Sequence, residues 1–244
     1  MKKRTNSFIG KKKEGSKDSV KYCISDIHGE SERYFQMLEK INFSSDDQLY
    51  IIGDVIDRGP GGIEILRDII PRENVVLLLG NHELMCRQAL QKNRSPEAMS
   101  TWMQNGGGVT YRELFFYMSR EERMQILQYI AQCPAALEVK VGKRKFFLVH
   151  GFPAKGEERC VWKRPSKDTP NPLKGRYTLV IGHTPVWSLE DDEVEYIEGI
   201  RYNDDHVKIA HCRGFIDIDC GCGHALDFRR LACLRLDDMR EFYV

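Results

Sequence analysis

Five short apolar runs, at 20–25, 49–53, 75–80, 146–149 and 178–182, each lead into residues that can bind a metal: Asp26 with His28, then Asp54, Asn81, His150 and His183. Their carboxylate, imidazole and amide donors suit manganese, iron or zinc, and the set is too large for one tetrahedral zinc. Two divalent ions sharing Asp54 is the economical arrangement. A histidine standing alone after a strand is usually an ordinary core or surface residue, so it is the ordered recurrence that singles out His150 and His183.

Such a cluster needs a scaffold that delivers distant segments to one place, and the expected one is a single edge of one sheet. Short β-branched and aliphatic runs bounded by Gly and polar residues read as buried strands, and in open α/β sheets ligands gather beyond the carboxyl ends of the strands. Helical patterns at 31–40, at 63–70 and from about 83 alternate with the first three runs, a βαβαβ order that implies parallel strands with helices outside. The stretch 95–133 is helical. Ser119 followed by Glu122 reads as a capping box, Met124, Leu127 and Ile130 recur at helical spacing, and Pro134 ends the pattern. From Ala136 the texture is strand, at 137–141, 145–149, 177–181, 193–197, 214–218 and 231–236. The expected fold is therefore α/β, a β-sandwich of mixed sheets flanked by helices. The irregular segment 153–175 is long enough to expect a functional role.

The 244 residues, 41% hydrophobic and 30% charged, fit one soluble domain, and no apolar stretch approaches the roughly 20 residues of a membrane helix. Residues 1–21 hold eight Lys or Arg and two acids against a net charge of +1 for the whole chain, so the body is mildly acidic. We read 1–20 as a solvated basic tail without a nucleic-acid role and 21–244 as the catalytic domain. The start lacks the apolar segment of a secretory signal, which places the protein in the cytoplasm, and the few residues after Asp238 leave no room for a built-in regulatory tail. The eight cysteines then read as free thiols. Cys220, Cys222 and His224, with His211 and Cys212 upstream, lack the usual zinc spacing, and with His206 these histidines read as surface or loop residues. Oligomeric state has no signature.

The segments Ser25-Asp26-Ile27-His28-Gly29, Gly53-Asp54-Val55-Ile56-Asp57-Arg58-Gly59, Gly80-Asn81-His82-Glu83, His150-Gly151 and Gly182-His183-Thr184 stand in one order across the chain from residue 22. Together they resemble the phosphoprotein phosphatase family of calcineurin-like metallophosphoesterases. The stretch 102–108 (WMQNGGG) and Trp162-Lys163-Arg164 look most like the compact bacterial and phage serine/threonine phosphatases.

A phosphomonoester is wrapped in negative charge, so hydrolysis needs a nucleophile at neutral pH, charge cancellation on the phosphoryl oxygens and a proton for the leaving oxygen. A two-metal site supplies the first two by lowering the pKa of bound water and clamping an in-line displacement. The resemblance puts Asp26 and His28 on the first ion, Asn81, His150 and His183 on the second, and Asp54 between them; bacterial members suggest manganese. His82 is the expected general acid, oriented by Asp57, with Arg58 and Arg164 gripping the phosphate. Arg159 competes weakly with Arg164. The glycines at 53, 59 and 80 read as sharp turns beside ligands, and those at 106–108 as a turn near the pocket mouth.

The chain departs from the pattern at Ser25, where Gly is usual, at Leu79 and Phe152, expected to reshape the pocket rim, and at Cys220-Gly221-Cys222, which resembles the family's late Asp-Thr-Gly turn and would make activity sensitive to oxidation. The implied substrate is a phosphoserine or phosphothreonine protein, or a phosphorylated small molecule. The alternative activity is hydrolysis of dinucleoside tetraphosphates, a branch that shares the ligands but typically ends its third motif in Asp where Glu83 stands. A silent metal-bound scaffold is the reading for a chain that lacked the acid or the arginines, and this one has both.

Overall fold

The computed structural model describes residues 19–189 and 207–244, so the tail at 1–18, the strand expected at 193–197 and His206 lie outside the described residues. In chain order β1 (Lys21–Ile24), α1 (Ser31–Lys40), β2 (Gln48–Ile51), α2 (Gly62–Ile69), β3 (Val75–Leu77) and α3 (Asn81–Leu90) form the βαβαβ unit. A helical block follows, α4 (Pro96–Trp102), α5 (Gly108–Phe116) and α6 (Arg120–Gln132), joined between α4 and α5 by a tight turn at 103–107. The remainder supplies β4 (Ala136–Val141), β5 (Arg144–Val149), α7 (Glu157–Trp162), β6 (Thr178–Ile181), β7 (Ala210–His211), β8 (Ile216–Asp217), β9 (Ala232–Arg235) and β10 (Glu241–Tyr243).

These strands make two five-stranded sheets, ordered β10-β9-β1-β2-β3 and β4-β5-β6-β8-β7. β1, β2 and β3 run parallel, as do β5, β6 and β8, while β9 pairs antiparallel with both β1 and the edge strand β10, and β4 and β7 are antiparallel edges of the second sheet. The period-2 alternation of the strands creates the sandwich: Cys23, Tyr50, Ile52 and Leu234 of one sheet face Phe146, Leu148 and Val180 of the other, whereas Ile24, Leu49 and Ile51 turn outward to Tyr34, Met37, Leu66 and Ile69 on the helices. The residues that follow β1, β2 and β3 therefore emerge from one sheet and those that follow β5 and β6 from the other, so the expected single edge of one sheet is instead shared between two packed sheets.

Local details refine the sequence expectations. α3 starts at Asn81, two residues early, because Gly80 is extended and Glu83 reaches back to accept its N–H at 3.1 Å. Asn81 and His82 thus sit on the first turn of a helix. Ser119 caps α6 by accepting the Glu122 N–H at 3.1 Å, but Glu122 pairs with Arg67 instead of closing the box. β8 is shorter than expected because Cys212 N–H bonds to Phe215 O at 2.9 Å, spending 212–215 on a turn. The long 153–175 segment is interrupted by α7, which delivers Trp162 and Arg164 toward the strand ends.

Candidate metal centre

The loops after the strands are held in a conformation that side chains ordinarily avoid. Nine described non-glycine residues have positive φ, and six of them are Asp26 (52°), His28 (49°), Asp54 (56°), Asp57 (73°), Arg58 (67°) and His183 (68°). Each left-handed residue costs about 1–2 kcal/mol, a strain that persists only where surrounding bonds over-determine it. Here the two loops are stitched together: His28 N–H bonds to Asp54 O at 2.9 Å, Gly29 N–H to Val55 O at 2.8 Å, and Gly59 N–H to His28 O at 2.9 Å. At Gly53 (φ +78°) a Cβ would stand 2.6 Å from Gly80 Cα and 2.7 Å from His150 Nδ1, so only glycine fits.

Asp54 is the hub. Its Oδ2 lies 3.5 Å from His28 Nε2, 3.3 Å from His150 Nε2 and 3.9 Å from His82 Nε2, and its Oδ1 accepts the His82 N–H at 3.0 Å. His150 is anchored through Nδ1 to Ile52 O at 2.7 Å and His28 through Nδ1 to Ile56 O at 3.3 Å, so both rings present Nε2 to the carboxylate. His150 Nε2 also meets Asn81 Oδ1 at 2.9 Å. Asp26 accepts the Ser25 hydroxyl and the His183 N–H, so serine at the start of the first motif supports the carboxylate.

Burial dominates the electrostatics. It pushes Asp26 up, and it opposes charge on His150, yet Asp54 and Asp26 outweigh it and carry His150 up to about 10. Burial, His150 and Arg164 push His183 down to about 3, and burial holds His28 well below its ordinary value. Asp54 stays well below the usual carboxylate range despite burial because His150 and His82 flank it.

Two groupings offer ligand atoms within 4.8 Å of one another, His28–Asp54–His82 and Asp54–His150–His183, and they share Asp54; the first contains His82, expected as the acid, and Asp26, expected as a ligand, belongs to neither. His183 Nε2 is buried with no hydrogen-bond partner. An orphaned imidazole nitrogen beside the shared Asp54 carboxylate fits a divalent cation, and two groupings meeting at one carboxylate fit a dinuclear arrangement.

A cavity of about 190 Å³ opens over this cluster, floored by Asp26, His28, Asp54, Asn81 and His183, with exposed Arg58 and Arg164 at its sides. His82 and His150 are buried behind the floor. His82 Nδ1 bonds to Asp57 Oδ2 at 2.8 Å while Arg58 Nη2 stands 3.4 Å from Nε2. Burial opposes charge on His82, but Asp54 and then Asp57 more than offset it, raising its pKa. The structure thus gathers all ten residues singled out in the sequence.

Arg159 does not line the cavity, and the expectation that Leu79 and Phe152 shape the rim fails, because Leu79 is buried in the helix-side core and Phe152 packs edge-on against Phe215. His224, set aside as a surface histidine, does line it, beside Trp187 at 5.4 Å between ring centroids. Asn105 and Asp219 were also missed; the first lies in the WMQNGGG stretch, which hinted at it, whereas nothing local marks the second. His211 pairs with Glu241 at 2.7 Å.

Cys220 and Cys222 are buried, form no described metal grouping, and have thiols pushed up by burial, which argues against the expected oxidation sensitivity. In a native-state titration with an aromatic disulfide reagent, only half-buried Cys160 and Cys212 should react promptly, and the six buried thiols only on unfolding. Prompt reaction at Cys220 or Cys222 with loss of turnover would restore the redox-sensitive reading.

Among known proteins, the calcineurin-like phosphoesterase family matches residues 22–216. The chain belongs to that family. A symmetrical bis(5'-nucleosyl)-tetraphosphatase from Delftia acidovorans is 38% identical over 213 residues, 81% of this chain and 69% of the relative. A serine/threonine-protein phosphatase 2 from Salmonella typhimurium is 27% identical over 181 residues, 66% and 78% of the two chains. Against a symmetrical bis(5'-nucleosyl)-tetraphosphatase from Acidovorax, 31% identity extends over 131 residues, so the match spans 42% of that relative's length. A protein serine/threonine phosphatase from Saccharomyces cerevisiae superposes with a TM-score of 0.52 at 14% identity over 93% of this chain and 79% of its own. A metallophosphoesterase from Sphaerobacter thermophilus does so at 0.51 and 17% over 92% and 86%. These two share the fold. The family is one of hydrolases, and this calcineurin-like phosphoesterase carries a His/Asp cluster suited to divalent metal. No helix among its described residues is long and apolar enough to cross a membrane.

Proposed function

We propose that the chain hydrolyses phosphoserine and phosphothreonine monoesters in proteins. The observation that carries the reading is the match between cavity and one phosphoryl group: about 190 Å³, with Arg58 and Arg164 as its only Lys or Arg among the described residues.

In this reading Asp26 and His28, Asn81, His150 and His183, with Asp54 common to both sets, would hold two divalent ions, proposed as manganese, with iron or zinc also suited to the donors. When bound, such ions supply charge cancellation at the phosphoryl oxygens and lower the pKa of water. Arg58 and Arg164 bind the phosphoryl oxygens through their planar donor forks and set the ester in line. His82, fixed through Nδ1 by Asp57, delivers a proton from Nε2 to the leaving alkoxide. The catalytic domain is taken as 21–244, acting in the cytoplasm.

A second reading, hydrolysis of dinucleoside tetraphosphates, is favoured by the Delftia relative and by Trp162, Trp187 and His224 at the cavity, whose rings could stack a nucleobase. Glu83 does not decide between them. It is fully buried against backbone amides and does not line the cavity.

The test is turnover of manganese-reloaded protein on a phosphothreonine peptide and on diadenosine tetraphosphate under one set of conditions, with His82→Asn and Asp54→Asn as controls. The expected result is preference for the peptide, lost in both variants. Preference for the dinucleotide would transfer the function to the second reading, and no turnover of either would sink both.

A further inference from the structure

Asp57 is fully buried, and its carboxylate is pinned from three directions. Oδ2 accepts the His82 Nδ1–H at 2.8 Å and the Trp102 Nε1–H at 2.8 Å, and Oδ1 accepts the Thr110 hydroxyl at 2.7 Å. The Thr110 oxygen in turn accepts the Asp57 N–H at 3.0 Å. Trp102 closes α4 and Thr110 opens α5, so both donors come from the two sides of one turn. That turn is built for the purpose: Gly106 (φ +96°) kinks it and accepts the Arg58 N–H at 3.1 Å, and a Cβ on Gly107 would strike the Trp102 ring at 2.5 Å.

A carboxylate swivels easily about its last torsion, which is broad and roughly two-fold. With one partner it would follow the imidazole. Bonded on both oxygens by rigid, buried donors, it instead dictates where the imidazole stands. We propose that Trp102 and Thr110 are positioning residues for phosphoester hydrolysis, holding the Asp57 carboxylate so that His82 keeps Nε2 aimed at the phosphate cavity. The proposal rests on the reading of His82 as proton donor to the leaving oxygen. Neither Trp102 nor Thr110 lines the cavity, so the contact through which each reaches His82 is the Asp57 carboxylate.

Leaving-group chemistry isolates this role. An alkoxide leaving from a phosphothreonine peptide needs the proton, whereas 2,4-dinitrophenolate does not. In manganese-loaded protein, Thr110→Val, which keeps the side-chain shape, should lower kcat on the peptide about 10- to 100-fold, leave 2,4-dinitrophenyl phosphate within about 3-fold and leave KM for both unchanged. Trp102→Phe should give the same split, and either variant suffices if the other does not fold. Thr110→Ser, which retains the hydroxyl, should recover the peptide activity. In an Asp57→Asn background, Thr110→Val should cost nothing further. Equal losses on both esters, no loss on either, or a full additional loss in the Asp57→Asn background would overturn the proposal. His82→Asn separates it from the reading beneath it: a split with His82→Asn but none with Thr110→Val removes the positioning role alone, and equal losses with His82→Asn remove the proton-donor role and the positioning together.

Discussion

Asp54→Asn should reduce kcat at least about 10³-fold, because charge stabilisation by a bound ion is worth several kcal/mol and each 1.36 kcal/mol is a factor of ten. The carboxylate belongs to both ligand groupings, so one substitution weakens both. It also faces three imidazoles, His28, His150 and His82, at 3.5, 3.3 and 3.9 Å. Asparagine retains an oxygen for the His82 N–H, which Asp54 Oδ1 now accepts at 3.0 Å, so the loop should keep its shape. The loss should therefore appear as metal rather than as fold. Elemental analysis after gel filtration is expected to show less bound manganese than in the parent protein while the far-ultraviolet circular dichroism is unchanged. Full metal content and normal turnover would remove Asp54 from the proposed shared position.

Glu83→Ala should lower the unfolding free energy by about 3–5 kcal/mol, a large share of the 5–15 kcal/mol typical of a domain. The fully buried carboxylate accepts the N–H groups of Asp54 at 2.8 Å, Val55 at 2.9 Å, Ile56 at 3.4 Å and Gly80 at 3.1 Å. Removing it strands those amides in a site that water reaches poorly, at about 1–3 kcal/mol each before relaxation. The charge is not free of cost, since burial and Asp54 push Glu83 up to about 7 while the amides of Asp54 and Val55 pull it back. Glu83→Gln keeps one acceptor oxygen but turns an amide donor on the remaining N–H groups, so an intermediate loss is expected. Urea denaturation of the two variants beside the parent measures both; a midpoint unchanged in Glu83→Ala would mean that the loop at 54–56 does not depend on this side chain.

The same residue marks a boundary of what could be read in advance. In the sequence Glu83 looked like a substrate discriminator because it closes a motif that differs between branches. In the folded chain it is the clamp that holds the 54–56 loop, which opens on left-handed Asp54, a role that requires knowing where three amides from another segment point. The six proposed ligands fared differently. Each follows an apolar run, and a parallel βαβ arrangement sends the carboxyl ends of such runs to one edge, which made Asp26, His28, Asp54 and Asn81 legible as one set, whereas His150 and His183 follow strands of the second sheet and join them only because the two sheets pack face to face. Leu79 and Phe152 misled because neighbouring a motif does not mean facing its cavity: Leu79 turns into the helix-side core, and Phe152 into a separate cluster with Phe215.

The amino-acid order by itself determined the two-sheet α/β class, the strand ends at which the functional side chains gather and the chemical kind of that gathering, since all of these follow from local periodicity and from which residue ends each strand. Only the tertiary structure decided that Trp102 and Thr110 hold Asp57 across 45 and 53 positions, that His224, Trp187 and Asp219 reach the cavity, and that Cys220 and Cys222 are sealed from solvent. Those are contacts between segments whose spacing carries no period, and they exist only because packing of the core leaves each side chain one direction in which to point.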